Sequence, residues 1–165
     1  SGISGFASRS IEAWVQFNTL NNNSVVSIGN LATADLFEMA VNNNKLILSS
    51  GTDLNQGYNI KSIRSLTTNA WYHIVITYKP PSVVNDGLFY TIYINGLFDN
   101  NYYNAIVAGR SAIEPVMNTT NTNIYIGNRL RPFNGKLGAL KIYKVELSAS
   151  DVLNKYNATK SRYGY

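Results

Sequence analysis

The feature that most constrains the fold is the run FNGKLGALKIYKVELSASDVLNKY at 133–156. It reads as a tight turn, one long strand and a short closing helix. Asn134-Gly135 is a turn dipeptide, because both residues tolerate positive φ. Leu137, Ala139, Lys141 and Tyr143 then alternate with Gly138, Leu140, Ile142 and Lys144, which is the period of a strand. Ser148 stands three residues before Asp151, the spacing of a capping box. The helix it opens carries Val152, Leu153 and Tyr156 on one side. A strand that ends by pinning a single amphipathic helix is how a β-sandwich closes its own edge.

The rest of the chain repeats the strand signal. Runs at 10–17, 25–28, 36–41, 45–49, 58–63, 71–78, 88–94, 102–107 and 123–126 carry β-branched or aromatic residues, and turn clusters separate them. The best hairpin signal is Asn95-Gly96, and an asparagine run at 42–44 joins another pair. The connections are too short for crossover helices, so pairing is antiparallel. Residues 79–87 (KPPSVVNDG), with two prolines, form a loop. The expectation is an all-β protein, an antiparallel two-sheet β-sandwich with one short C-terminal helix, as a single domain over residues 1–165 cut from a larger protein.

Composition excludes several functions. With no cysteine there is no disulfide, zinc–thiolate site or cysteine nucleophile. No run approaches the roughly 18 apolar residues of a membrane span. The net charge of +5 is spread along the chain, densest at Lys155, Lys160 and Arg162, rather than gathered with aromatic platforms as nucleic-acid recognition prefers. Sequons at Asn22, Asn118 and Asn157 matter only on a eukaryotic secretory route. The asparagine runs at 21–23 and 42–44 suit hairpin loops.

Taken in order, SIEAWVQF, VVSIGN, LFEMAVNNNKLIL, NAWYHIVITY, YTIYINGLFD, NIYIGNR and FNGKLGALKIYKVELSASDV resemble the laminin-G-like domains of the concanavalin A-like lectin/glucanase superfamily. The resemblance covers nearly all of 10–156 and implies a jelly-roll sandwich. The family usually has one more strand before the equivalent of SIEAWVQF. Here 3–6 supplies a shortened edge, or the sequence begins inside the domain. The ending YNATKSRYGY is similar to tails of such domains in large-virus and phage structural proteins.

The superfamily includes glycoside hydrolases, whose laminarinase-type members carry Glu-x-Asp-x-x-Glu on one strand. None of the nine acidic residues forms that spacing: Glu12 stands alone, and Glu38 is three residues from Asp35 on the other side of a strand. The expectation is no enzyme. His73, the only histidine, lies mid-strand without a serine or cysteine nucleophile, so its role is structural. At the positions of Trp14 and Trp71 the family buries its side chains in the core.

Many family members bind one calcium at the rim. The resemblance places Asn128 there, with Asp35 as its acidic partner and Asp99 as the other candidate, since calcium takes loop oxygens. For sugars, Asp99, Asn100, Asn101, Tyr102, Tyr103 and Asn104 combine amides for hydroxyls with flat faces for C–H groups. Asn128, Arg129, Arg131 and Phe133 form a second group. The expectation is therefore a non-catalytic recognition module binding glycans or a glycosylated surface, extracellular or on a cell or virion surface. The alternative is a structural or decoration domain of a virion or fibre that contacts other subunits; a glycoside hydrolase ranks third.

Overall fold

The computed structural model describes residues 5, 7–30, 35–49, 54, 59–80, 88–103, 119, 123–128 and 130–165. Among the described residues, ten strands form two five-stranded sheets. The first contains β1 (Arg9–Phe17), β6 (Trp71–Tyr78), β7 (Leu88–Ile94), β8 (Leu97–Tyr103) and β10 (Gly135–Tyr143), in the order β10-β1-β6-β7-β8. The second contains β2 (Asn23–Ile28), β3 (Phe37–Asn42), β4 (Lys45–Ser49), β5 (Ile60–Lys61) and β9 (Ile124–Ile126), in the order β5-β4-β3-β2-β9. Every pairing is antiparallel. The predicted two-sheet sandwich is the observed one.

Alternation puts the core between the sheets. Ile11, Ala13, Val15 and Phe17 of β1 meet Ile74, Ile76, Ile92 and Ile94 on one side and Val26, Ile28, Phe37, Met39 and Leu46 on the other. Register shifts interrupt the period in the pairings of β2 with β3, of β1 with β10, and twice between β7 and β8. In β2 the register shifts around Val25, so that Val25 and Val26 both join the core. In β10 Trp14 faces Ala139 while Val15 faces Leu137, which leaves Gly138 as the extra residue. Leu137 therefore shares the inward face with Leu140 and Ile142, where simple alternation put it with Ala139, Lys141 and Tyr143.

Other expectations also shift. Gly135 is the first residue of β10 and not a positive-φ turn residue; a Cβ there would lie 2.3 Å from the Gln16 carbonyl oxygen. The strand after Asn95-Gly96 runs through Leu97–Tyr103, beginning straight after the turn instead of at residue 102, and 104–107 lie outside the described residues. The 58–63 strand shrinks to Ile60–Lys61, with residue 58 outside the described residues. Of the short edge at 3–6, Gly5 pairs with Thr119 through backbone bonds of 2.8 and 3.3 Å; residues 3, 4 and 6 lie outside the described residues.

The closing helix is α1 (Ala149–Thr159), followed by a 3₁₀ turn at Lys160–Tyr163. Its capping box forms as predicted: the Ser148 hydroxyl accepts from the Asp151 N–H, and the Asp151 carboxylate accepts from the Ser148 N–H. The Ser148 hydroxyl, which also donates to that carboxylate at 2.6 Å, and then the Ser148 N–H hold the Asp151 carboxyl below its ordinary range. Val152 is buried against Val75, Tyr93 and Leu147, whereas Leu153 faces solvent, so the predicted apolar side narrows to Val152 and Tyr156.

The helix and the tail cover the outer face of the first sheet. Trp14 is buried there, not in the core between the sheets. Its ring stacks on Tyr163 at 4.1 Å and 12°, and its indole N–H donates to the Thr159 hydroxyl at 2.9 Å. Trp71, also expected in the core, is only half-buried and lies 4.9 Å from Tyr163.

Candidate functional site

The strand directions bring the loops at 18–22, 43–44 and 62–70, with residues 127–128 and 130–134, to one end of the sandwich, because β1 and β3 finish there and β4, β6 and β10 begin there. Asparagine dominates this end. Asn22, Asn43, Asn44 and Asn69 take positive φ (49°, 50°, 63° and 63°), a region asparagine tolerates better than other non-glycine residues.

Hydrogen bonds stitch these loops into one surface. Asn44 N–H donates to the Leu20 carbonyl, Leu66 N–H to the Asn44 carbonyl, and Asn69 N–H to the Phe17 carbonyl. Side chains add to this. Asn21 Oδ1 accepts from the Asn43 N–H at 3.0 Å, and Asn42 Oδ1 accepts from the Asn22 N–H at 3.1 Å. Asn18 Nδ2 donates to Asn134 Oδ1 at 3.0 Å. Asn23 sits beneath, nearly fully buried, donating to the Thr19 and Asn134 carbonyls and accepting from the Asn134 N–H. Asn18, Asn21 and Asn134 are exposed, and Phe133 beside Asn134 is half-buried against the core.

The residues expected to bind ligand are placed differently. Asp99 is buried; its carboxylate accepts from the Ile63 N–H at 2.6 Å and the Arg64 N–H at 3.2 Å, and pairs with Arg64 Nε at 3.1 Å. Asn100 Nδ2 donates to the Lys61 carbonyl at 2.7 Å. Asn100 thus ties the edge strand β8 of one sheet to β5 of the other, and Asp99 ties it to the segment that follows β5. Asn101 is half-buried opposite Thr91, and Tyr102 and Tyr103 end β8 opposite Tyr90 and Leu88. Asn104 and Arg129 lie outside the described residues.

Arg131 is buried and points its guanidinium at Glu38, with Nη2 2.6 Å from Oε2 and Nε 3.2 Å from Oε1. Asn128 completes this network: its Nδ2 donates to Glu38, and its Oδ1 accepts from the N–H groups of Leu130 and Arg131, each at 2.8 Å. A fully buried carboxylate is tolerated on the outer face of the second sheet because a forked cation and an amide both meet it. Asp35 accepts from Asn30 Nδ2 at 2.8 Å. A calcium ion shared by Asp35 and Asn128 would have to take Asn128 Oδ1 from two N–H donors, so that arrangement fits the ion poorly. Among the described residues, no three His, Asp or Glu side chains gather as metal ligands.

Glu12, isolated in sequence, acquires partners on the outer face of the first sheet. His73 Nε2 lies 3.3 Å from its Oε1, the Tyr143 hydroxyl donates to its Oε2, and Lys141 Nζ is 3.9 Å away. Burial pushes the Glu12 carboxyl up, but the bonds from His73 and Tyr143, with the Lys141 charge, outweigh it and hold the group below its ordinary value. Burial and the bond to Glu12 push the Tyr143 hydroxyl far above the ordinary phenol range. His73 is fully buried, in keeping with its expected structural role. Sequence reasoning missed this cluster because β1, β6 and β10 meet only in the folded sheet.

Two antiparallel five-stranded sheets around one core, with hydrogen-bonding loops gathered at an end, define a jelly-roll sandwich. A sequence profile described as the concanavalin A-like lectin/glucanases superfamily matches residues 3–153, and the chain belongs to that superfamily. No curated protein matches the sequence significantly. Among solved structures, the chain is similar to a carbohydrate-binding protein of Bacteroides ovatus so described provisionally, at 18% identity and TM-score 0.64, over 93% of this chain and 42% of that one. Domain 4 of AbnA, an extracellular arabinanase of Geobacillus stearothermophilus in complex with arabinotriose, aligns at 20% identity and TM-score 0.62, over 93% and 68%. The CBM40 of a Ruminococcus gnavus sialidase, bound to sialyllactose, aligns at 16% identity and TM-score 0.62, over 91% and 83%. The chain spans about two-fifths of the Bacteroides protein, 42%. At these identities the likeness establishes the fold.

Proposed function

We propose that this domain is a non-catalytic recognition module that binds glycans or a glycosylated surface, working outside the cell or on a cell or virion surface. The observation that carries this reading is the asparagine-lined loop end, a set of exposed hydrogen-bonding amides held on a rigid sandwich. The buried carboxylates of the described residues point the same way. Glu12, Glu38 and Asp99 are each occupied by cations or N–H donors rather than paired across a cleft as hydrolysis requires. The structural neighbours described as carbohydrate-binding, or solved with oligosaccharides, add support at the level of fold. Shallow polar contacts bind weakly one at a time, so multivalent display strengthens them.

The test is a glycan array probed with the multivalently displayed domain, with calcium and with chelator. Binding in either arm supports the reading, and loss with chelator adds a metal to it. Silence in both arms, with the domain verified as folded, refutes it. A second reading, a structural domain that pairs with neighbouring subunits, is favoured by β9. That strand ends its sheet with Ile124, Tyr125 and Ile126 all exposed among the described residues. A monomer by light scattering at high concentration counts against pairing between copies.

A further inference from the structure

The loop-end amides share an arrangement that goes further than exposure. Asn21 and Asn42 each have Oδ1 fixed by a backbone N–H from the facing loop. A backbone donor settles which end of the amide is oxygen, so each Nδ2, on exposed Asn21 and half-buried Asn42, is left as a donor. Asn18 and Asn134 join edge to edge, Nδ2 to Oδ1, leaving Asn18 Oδ1 and Asn134 Nδ2 on either side of that bond. None of these four remaining atoms has a hydrogen-bond partner among the described residues. Each amide is therefore held by one atom and open at the other.

Resting on the glycan-binding reading above, we infer that this end, centred on Asn18, Asn21, Asn42 and Asn134, is the binding site, and that it takes the vicinal hydroxyls of uncharged sugars. Vicinal hydroxyls both donate and accept, and a donor beside an acceptor, as at Asn18 and Asn134, is their complement. Fixing one atom of each amide before the ligand arrives removes rotamer entropy that binding would otherwise cost. Charge supports the uncharged class. Loops 18–22, 43–44, 62–70 and 127–134 contain no acidic residue, and of their bases among the described residues Arg64 is paired with Asp99 and Arg131 with Glu38. The half-buried Phe133 offers an apolar edge beside Asn134 for the C–H face of a ring.

The test uses Asn21→Asp, Asn42→Asp and Asn134→Asp together. Each aspartate keeps the oxygen that accepts the inner bond and replaces the outward donor with a negative oxygen. Asn157→Asp on the exposed side of α1 is the control. Arabinotriose and cellotetraose serve as neutral probes and sialyllactose as the charged one. The expected result is a loss of about tenfold or more in apparent affinity for a neutral probe, with an unchanged melting temperature and no effect of the control. Equal binding by the triple variant and the parent overturns this site while the glycan-binding reading stands. Failure of the parent to bind any sugar overturns both. Preference of the parent for sialyllactose overturns the uncharged class. If the triple variant misfolds, side-chain amide NMR of the parent decides: signals of Asn18, Asn21, Asn42 and Asn134 shift on titration with a bound neutral probe, or the site is wrong.

Discussion

Gly138 is the point where a single methyl group should separate the sandwich from its C-terminal cover. It is the extra residue of the β10 bulge, and its backbone φ is not in the left-handed region, so alanine fits the chain itself. The space above it is occupied. A Cβ there would lie 2.5 Å from Tyr163 Cε1 and 2.7 Å from its hydroxyl oxygen. Tyr163 cannot retreat without leaving Trp14, on which it stacks at 4.1 Å. Overpacking of this kind costs about 1–3 kcal/mol, and a lost aromatic stack about 0.5–1.5 kcal/mol. Gly138→Ala should therefore destabilise the domain by about 2 kcal/mol, a melting shift of about 4–8 °C for a chain of this size. The decisive assay is a double-mutant cycle with Tyr163→Ala, read by urea unfolding and tryptophan fluorescence. With the ring gone, the same substitution should become neutral, or stabilising by about 0.5–1 kcal/mol, because glycine weakens a strand. An equal loss in both backgrounds would refute the packing argument.

Three further outcomes are expected. Glu12 titrates below its ordinary value of 4.5 in the folded protein, so its stabilisation is complete above that value and is lost as pH falls through the lowered one; in acid urea titrations Glu12→Gln should flatten the dependence, and parallel curves would contradict the cluster. Arg131→Ala should cost about 3–5 kcal/mol by stranding the Glu38 carboxylate, and Glu38→Leu/Arg131→Met should recover most of it; calorimetry of both variants checks this. Ser148→Ala should cost about 1 kcal/mol through loss of the α1 cap, measured by denaturant midpoint.

What could be read along the chain was whatever rests on neighbours in sequence. The alternation of 10–17 and 71–78, the Asn95-Gly96 turn and the Ser148–Asp151 capping box all appear as expected, because strand period, turn conformation and helix capping are settled within a few residues. The antiparallel two-sheet sandwich follows from those signals in order. Asparagine at 21–22 and 43–44 was likewise legible as turn chemistry, whereas Asn23 and Asn42, from the same runs, belong to β2 and β3. That one atom of an amide would be held while the other stays open was not, since Asn18 and Asn134 are 116 residues apart.

The tertiary structure decided which polar side chains are spent inside and which remain for a ligand. Asp99 and Arg131 looked like rim residues because both fall in polar, loop-like sequence. Folding turns them inward, against Arg64 across the seam of the two sheets and against Glu38, 93 residues away. Glu12 gains His73 from 61 residues away for the same reason. The β10 bulge moved Leu137 to the inner face and emptied the space that Tyr163 fills. A buried charge must find its counter-charge, and a ring its platform, wherever sheet pairing brings them together. The sequence by itself determined the sandwich, its turns and its helix cap; only the packed sheets settled the fate of each charge and amide, because those depend on contacts between segments far apart in the chain.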